Sequence, residues 1–317
     1  MAGKATTLVH QALLYSGEGE FLDAAVPFLR AGLTAADVVL VAAVPPRLDG
    51  VRRALGPAGE PVLFIDVAEW YRHPVRTLAA YDDFLRVQAP RRVRVLAELD
   101  LAARAAPETR EWMRYEAVVN TAFGTSGAHA MCAYDRHTAP PGMLAEVRRT
   151  HRVLVQGGGP LPRADHAGPD RPGGEPDREP DREPLPLPPV FDTISVESAD
   201  LHDVRAFVGT RAVRYGLTDD ALSGLLVAVT ELATNAVKHG TPPMAVRLWA
   251  EGGDLICEVA DCGCWRPPPS ATLGFAPPAS AANGGFGLWG VRMLADSVQI
   301  RADWDGTVVR LRMRLTG

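Results

Sequence analysis

Residues 218–240 read TDDALSGLLVAVTELATNAVKHG, and this stretch decides the fold of the C-terminal half. Leu222, Leu225, Leu226, Val229, Leu232, Ala233, Ala236 and Val237 recur with a 3.6-residue period, so 219–239 is a helix with one apolar face. Thr218 or Asp219 can cap its start and Gly240 can end it. Glu231, Asn235 and His239 stand four residues apart on the flank of the apolar stripe, in one row along the helix. A carboxylate, an amide and an imidazole in such a row fit either a solvated face or a functional strip.

Around this helix the sequence places a strand at 190–197, a helix at 200–216, strands at 244–251 and 254–261, a helix at 286–296, and strands at 297–303 and 306–315. That order predicts an α+β sandwich, one mixed sheet with helices on one face. In strand 254–261, period-two alternation puts Asp261 on the same face as Leu255, Cys257 and Val259. A carboxylate closing an apolar row needs a partner. The amino group of an adenine would serve, and so would an ordinary turn before Gly263. Downstream, Gly284, Gly285 and Gly287 in NGGFGLWGVRMLADS (283–297) precede the 286–296 helix. Backbone N–H groups at such a helix start favour an anion, although Gly-rich loops are common. The stretch 266–285 lacks periodicity and is long for a connection, as lids are.

ELATNAVKHG (231–240), DCG (261–263) and GGFGLWG (284–290), in this order, resemble the N box and the two glycine boxes of the GHKL ATPase superfamily. The likeness is greatest to the anti-sigma-factor serine kinases, and it covers about 190–317. It implies a GHKL (Bergerat) fold that binds ATP and Mg²⁺. By the resemblance, Asn235 holds the Mg²⁺ and Glu231 positions or deprotonates the attacking hydroxyl. Asp261 reads adenine, Gly263 lets the backbone pass close to the base, and Thr307 supports adenine from the far strand. Gly285 and Gly287 lie against the phosphates, with Leu288 beginning the helix behind them, and Lys238 and His239 reach phosphate oxygens. The sequence departs from the pattern where Trp265 replaces a glycine and where Cys262 and Cys264 flank Gly263.

The N-terminal half reads differently. Strands at 8–15, 37–44, 61–67, 128–135 and 151–156 alternate with helices at 20–33, 45–55, 74–88, 91–106 and 111–123, which predicts a mostly parallel sheet with helices on both faces. No phosphate-binding glycine motif is visible. HQALLYSGEGEF from His10, AMCAYD (130–135) and His151 in THRVLV resemble the MEDS sensory domain. That implies a RecA-like α/β sheet without a P-loop and a small-molecule signal. His10, Tyr15, Cys132, Tyr134 and His151 are then candidates for a sensory pocket, or are ordinary strand residues.

The segment 157–189 (GGGPLPRADHAGPDRPGGEPDREPDREPLPLPP) is rich in Pro, Gly and charge, and reads as a disordered linker between domains 1–156 and 190–317. The net charge of −5 argues against direct nucleic-acid binding. No uninterrupted apolar run of about 20 residues predicts a membrane span. The start carries no export signal, so a cytoplasmic protein is expected. Four cysteines without zinc-ligand spacing predict neither a disulfide framework nor a Cys262–Cys264 metal site.

A histidine kinase would need a helical hairpin with a phospho-accepting His before the ATPase, where this chain has a Pro-rich segment. His151 and His202 read as surface or structural residues. A gyrase- or chaperone-type ATPase would need a further domain after the ATP site, yet the sequence ends at Gly317. The expectation is a cytoplasmic regulator whose C-terminal domain acts as a serine kinase on an anti-anti-sigma antagonist, binds a sigma factor, and forms a homodimer by family likeness. A non-catalytic, ATP-gated sequestering module and an atypical histidine kinase are the alternatives.

Overall fold

A computed structural model of the chain describes residues 7–102, 104–139, 142–156, 159–162, 185–196, 201–266, 273–276 and 287–315. It divides into two units, Met1–Gly173 and Gly174–Gly317, with the division inside the Pro-rich segment.

The first unit runs β1 (Val9–Tyr15), α1 (Gly17–Thr34), β2 (Val38–Ala43), α2 (Pro45–Leu55), β3 (Leu63–Asp66), α3 (Val67–Trp70), α4 (Pro74–Gln88), β4 (Val93–Glu98), α5 (Ala106–Ala122), β5 (His129–Asp135), α6 (Met143–Thr150), β6 (Val153–Gln156) and β7 (Gly159–Pro162). The sheet order is β3-β2-β4-β5-β1-β6-β7. Its first six members are parallel, and β7 pairs antiparallel with β6. One face packs on α1 and α2 through Leu13, Tyr15, Val39, Val41, Leu96, Met131 and Ala133.

Two expectations are corrected here. Residues 93–98, assigned to a helix over 91–106, form the interior strand β4. All six are buried, including Arg94 and Glu98. Polar partners on other elements make that burial tolerable: Arg94 donates to Asp37 and Glu98 accepts from Tyr15. Residues 159–162, assigned to the linker, form an edge strand, where a proline costs no ladder bond.

His129 opens β5 opposite Arg94, with its ring edge-on to Phe28 at 5.1 Å. Burial, then the charges of Arg94 and Arg92, push its pKa down to about 4. The unfolded chain takes up a proton near the ordinary value of about 6.5, which the folded form refuses. Stability from this group is therefore present above pH 6.5 and lost as pH falls towards 4. Since the ring is only partly buried, the loss is on the order of 1 kcal/mol. Urea midpoints at pH 7 and pH 4.5 are expected to fall less for His129→Gln than for the parent chain. Equal acid sensitivity would exclude the assignment.

The second unit runs β8 (Asp192–Val196), α7 (Leu201–Arg214), α8 (Asp219–His239), β9 (Met244–Glu251), β10 (Asp254–Asp261), α9 (Gly287–Leu294), β11 (Ser297–Asp303) and β12 (Gly306–Arg314). The sheet order is β11-β12-β10-β9-β8. It is antiparallel throughout, not mixed as expected: β9–β10 and β11–β12 are direct hairpins, the helical connection before β9 returns the chain antiparallel to β8, and β12 lies between β10 and β11, antiparallel to both. Helices α7, α8 and α9 lie on one face, sealing a core of Val204, Leu225, Val229, Leu232, Val246, Leu255, Cys257, Val291 and Leu311.

By length and composition alone α8 is apolar enough to cross a membrane, with 21 residues and a mean hydropathy of 1.2, though Glu231, Asn235 and Lys238 keep it from being an uninterrupted apolar run. Its apolar stripe, Leu225, Ala228, Val229, Leu232, Ala233 and Ala236, is spent on the sheet. Residues 185–186, also assigned to the linker, are held by Arg310, which donates to the Leu185 and Pro186 carbonyls at 3.1 and 3.2 Å.

Candidate functional site

The C-terminal half of α8, the end of β10, the start of α9 and the start of β12 enclose a cavity of about 420 Å³. That volume lies within the range of small-ligand sites. Its walls include Asn235, His239, Asp261, Leu288 and Thr307, all candidates from the sequence. Leu232, Ala236, Val259, Val309 and Trp265 supply the apolar surface. The three-residue and four-residue steps of α8 explain why Leu232, Asn235, Ala236 and His239 share one side of it.

Asp261 sits at the inner end of β10, as its parity required. Its Oδ1 accepts two backbone N–H groups, from Gly263 at 2.7 Å and from Thr241 at 3.3 Å. Burial pushes the carboxyl up, against the pull of these two bonds. Thr307 stands opposite Asp261 in register. Its hydroxyl donates to the Gly263 carbonyl at 2.8 Å and accepts from the Trp265 N–H at 3.3 Å. Thr307 thus fixes the backbone that leaves Asp261. Gly263 and Gly240 meet backbone to backbone; a Cβ on Gly263 would lie 2.8 Å from the Gly240 Cα. Gly240 ends α8 with an extended conformation (φ −87°, ψ −166°), so its role is this close approach, not a left-handed cap.

The other candidates separate. Glu231 lies on α8 half-buried but is not among the residues lining the cavity, and Lys238 is exposed. Gly287 opens α9 with φ +54°. Gly285 lies outside the described residues, as does most of 266–285. From that stretch, residues 273–276 are anchored: the buried Arg292 donates to the Leu273 carbonyl at 2.6 Å and stacks on Phe275. Cys262 and Cys264 are exposed and free. Sequence reasoning missed Gly240 as a contact and took Trp265 only as a departure from a motif.

The N-terminal candidates also divide. His10, Cys132 and Tyr134 share one face of β1 and β5 by register, and His151 follows α6 on the same side. All four are buried, and the Tyr134 ring is edge-on to His151 at 5.8 Å. Tyr15, an odd number of residues from His10, points to the opposite face. There its hydroxyl donates to Glu98 at 2.5 Å, beneath the Arg47 guanidinium. Tyr15 is therefore removed from the pocket group by strand alternation. Glu116 of α5 replaces it; its Oε2 lies 3.5 Å from the Nε2 atoms of both His10 and His151. Nothing in the sequence marked Glu116, since it sits in a helix with several other charged residues.

Residues 9–152 match the MEDS family, described as MEthanogen/methylotroph, DcmR Sensory domain. Residues 194–313 match the family described as Histidine kinase-like ATPase domain. The chain joins a MEDS domain to a histidine kinase-like ATPase domain. That pairing of a sensory domain with an ATPase domain is the architecture of a signalling regulator.

Among solved structures, the RsbU and RsbW domains of Rv1364c from Mycobacterium tuberculosis are 20% identical, with a TM-score of 0.31, over 40% of this chain and 33% of that one. The chain therefore spans about a third of the length of that neighbour. The flagellar accessory protein FlaH from Methanocaldococcus jannaschii is 10% identical, with a TM-score of 0.30, over 49% of this chain and 75% of that one. Comparison with curated proteins gives no match.

Proposed function

We propose that the ATPase domain binds Mg²⁺–ATP in the α8–β10–β12 cavity and transfers the γ-phosphoryl group to a serine of a partner protein, under control of the MEDS domain. The observation that carries this reading is the convergence of Asn235, Asp261, Leu288 and Thr307, from four separate elements, on one cavity. The donor set suits the ligand. Asp261 offers an acceptor whose orientation is fixed by two N–H bonds, and apolar Leu232, Val259 and Val309 offer a slot for a flat base. The Gly240–Gly263 contact is a cradle that a Cβ would fill.

Bound Mg²⁺–ATP would supply the transferable phosphoryl group. In this reading Asp261 holds the adenine amino group, and Thr307 holds the Gly263–Trp265 backbone against the base. Asn235 offers its amide oxygen to Mg²⁺, and His239 and Lys238 face the phosphates with Gly285 and Gly287. Glu231 accepts the proton of the attacking serine hydroxyl. The partner is an anti-anti-sigma-type antagonist, a sigma factor is the second partner, and the setting is cytoplasmic.

A second reading is favoured by two observations. Glu231 stands outside the cavity lining, and the Trp265 and Cys264 positions depart from the family pattern. A domain with these features can hold nucleotide and sequester a partner without turnover. For the atypical histidine-kinase reading, His151 has no exposed surface to accept a phosphoryl group, which leaves the exposed His202 as its only candidate of the two.

The full chain, Mg²⁺, labelled ATP and a serine-bearing antagonist are expected to give acid-stable phosphoserine. Glu231→Gln is expected to lower transfer by about 10²–10⁴-fold while ATP still binds. Binding without transfer to any antagonist selects the sequestering reading, and absence of ATP binding removes both.

A further inference from the structure

His10, Glu116, Cys132 and His151 each bring one ligand atom into a group whose members all lie within 4.8 Å of one another, and every one of the four residues is buried. The His10 Nε2 is 3.3 Å from the Cys132 Sγ and 3.5 Å from the Glu116 Oε2, and the His151 Nε2 is 3.5 Å from the same oxygen. Tetrahedral Zn²⁺ with bonds of about 2.0–2.3 Å sets its ligand atoms about 3.3–3.6 Å apart. These three separations fall in that range, and the two nitrogen–oxygen separations of 3.5 Å exceed those of good hydrogen bonds.

The outer contacts decide which ring nitrogens face inward. The His151 Nδ1 lies 2.9 Å from the Val147 carbonyl, an acceptor only, so that nitrogen carries the proton. The Asn120 amide nitrogen donates to the Thr150 carbonyl at 2.9 Å, which turns its oxygen towards the His10 Nδ1 at 3.1 Å. His10 is therefore also protonated on Nδ1. Both Nε2 atoms present lone pairs to the centre, beside a carboxylate and a sulfur. The Glu116 Oε2 and His151 Nε2 atoms are buried without a hydrogen-bond partner. Four electron-rich atoms within 4.8 Å of one another, with the second nitrogens of both histidines anchored outside, is the arrangement that metal-binding histidines adopt.

We infer that His10, Glu116, Cys132 and His151 form a tetrahedral zinc site inside the MEDS domain. With neutral histidines, a thiolate and a carboxylate, the site carries no net charge, which suits its burial. The inference is independent of nucleotide binding, which occupies the other domain.

The full chain, expressed in defined medium with Zn²⁺, is expected to carry one equivalent of zinc. Expressed with Co²⁺, it is expected to show intense tetrahedral d–d bands and a thiolate-to-cobalt charge-transfer band. A Cys262→Ser/Cys264→Ser background removes the exposed thiols and is expected to leave that band unchanged. Cys132→Ser in this background is expected to abolish it. Asn120→Ala, which removes only an outer contact, is expected to weaken metal affinity about 10–100-fold in competition with a chelator. Folding of each variant is read by far-ultraviolet circular dichroism. Metal-free protein from both media would overturn the inference and leave a buried histidine–carboxylate pair. So would a charge-transfer band that survives Cys132→Ser or disappears with Cys262→Ser/Cys264→Ser. Should Cys132→Ser fail to fold, the stoichiometry and the Asn120→Ala affinity decide alone.

Discussion

Asp261→Asn is expected to weaken ATP binding by about 30–100-fold while leaving the stability of the ligand-free chain almost unchanged. The Asp261 Oδ1 accepts the Gly263 and Thr241 N–H groups. An asparagine keeps both bonds only by placing its oxygen there, so its NH₂ must face the cavity. In the proposed pose that NH₂ meets the adenine amino group, donor against donor. Loss of a charged acceptor costs about 2–3 kcal/mol, which is the stated fold-change. At ATP one-hundredfold above the parent dissociation constant, mass action stabilises the parent by about 2.7 kcal/mol. A variant bound 100-fold more weakly gains only about 0.4 kcal/mol at the same concentration. Thermal shift with and without Mg²⁺–ATP measures both quantities. Parent-like ATP stabilisation in Asp261→Asn would remove the base from this cavity. A large drop in ligand-free stability would mean that the side chain serves the fold first.

This experiment tests a position that the sequence located by parity alone. Strand alternation placed Asp261 with Val259 on the helix-facing side, and the cavity lies there. The same rule, applied to β1, separates Tyr15 from His10, since five residues reverse the face. Helix α8 was legible because its apolar stripe is long and regular. Strand β4 was not: Val93–Glu98 places Arg94 and Glu98 in the middle of a sheet, where pattern reading expects apolar residues. Asp37, Tyr15 and the Val44 N–H satisfy them, and all three come from distant parts of the chain. Glu116 was illegible for the same reason. Its identity as a centre is created by His10 and His151, 106 positions before it and 35 after it in the sequence. Helix periodicity carries no information about such a meeting.

The largest loss of stability is expected from Glu258→Ala. Glu258 lies mid-way along β10, on the face away from the helices, and is almost fully buried. It stands directly opposite Arg247 on β9 and Arg310 on β12. Its Oε1 accepts from the Arg247 Nη1 at 2.6 Å, and its Oε2 accepts from the Arg310 Nε and Nη2 at 3.0 and 2.6 Å. Alanine would leave the Arg310 guanidinium, itself only 5% exposed, without its counter-charge. Breaking one member of a buried pair costs about 3–5 kcal/mol, because the remaining charge stays desolvated. Arg247 has water available to it, so the cost comes mainly from Arg310. Replacing Glu258 and Arg310 together by leucine and methionine is expected to recover most of the loss, since a matched apolar pair leaves no charge uncompensated. Arg310 also stacks over Trp249 and holds the Leu185 and Pro186 carbonyls. Freed from Glu258, it holds that segment less firmly, so proteolysis near residue 185 is expected to accelerate. Urea unfolding, followed for the transition of the C-terminal unit, gives the free energy. A loss below about 1 kcal/mol in Glu258→Ala, the range of a surface pair, would show that water reaches Arg310 and that the cluster does not hold the sheet.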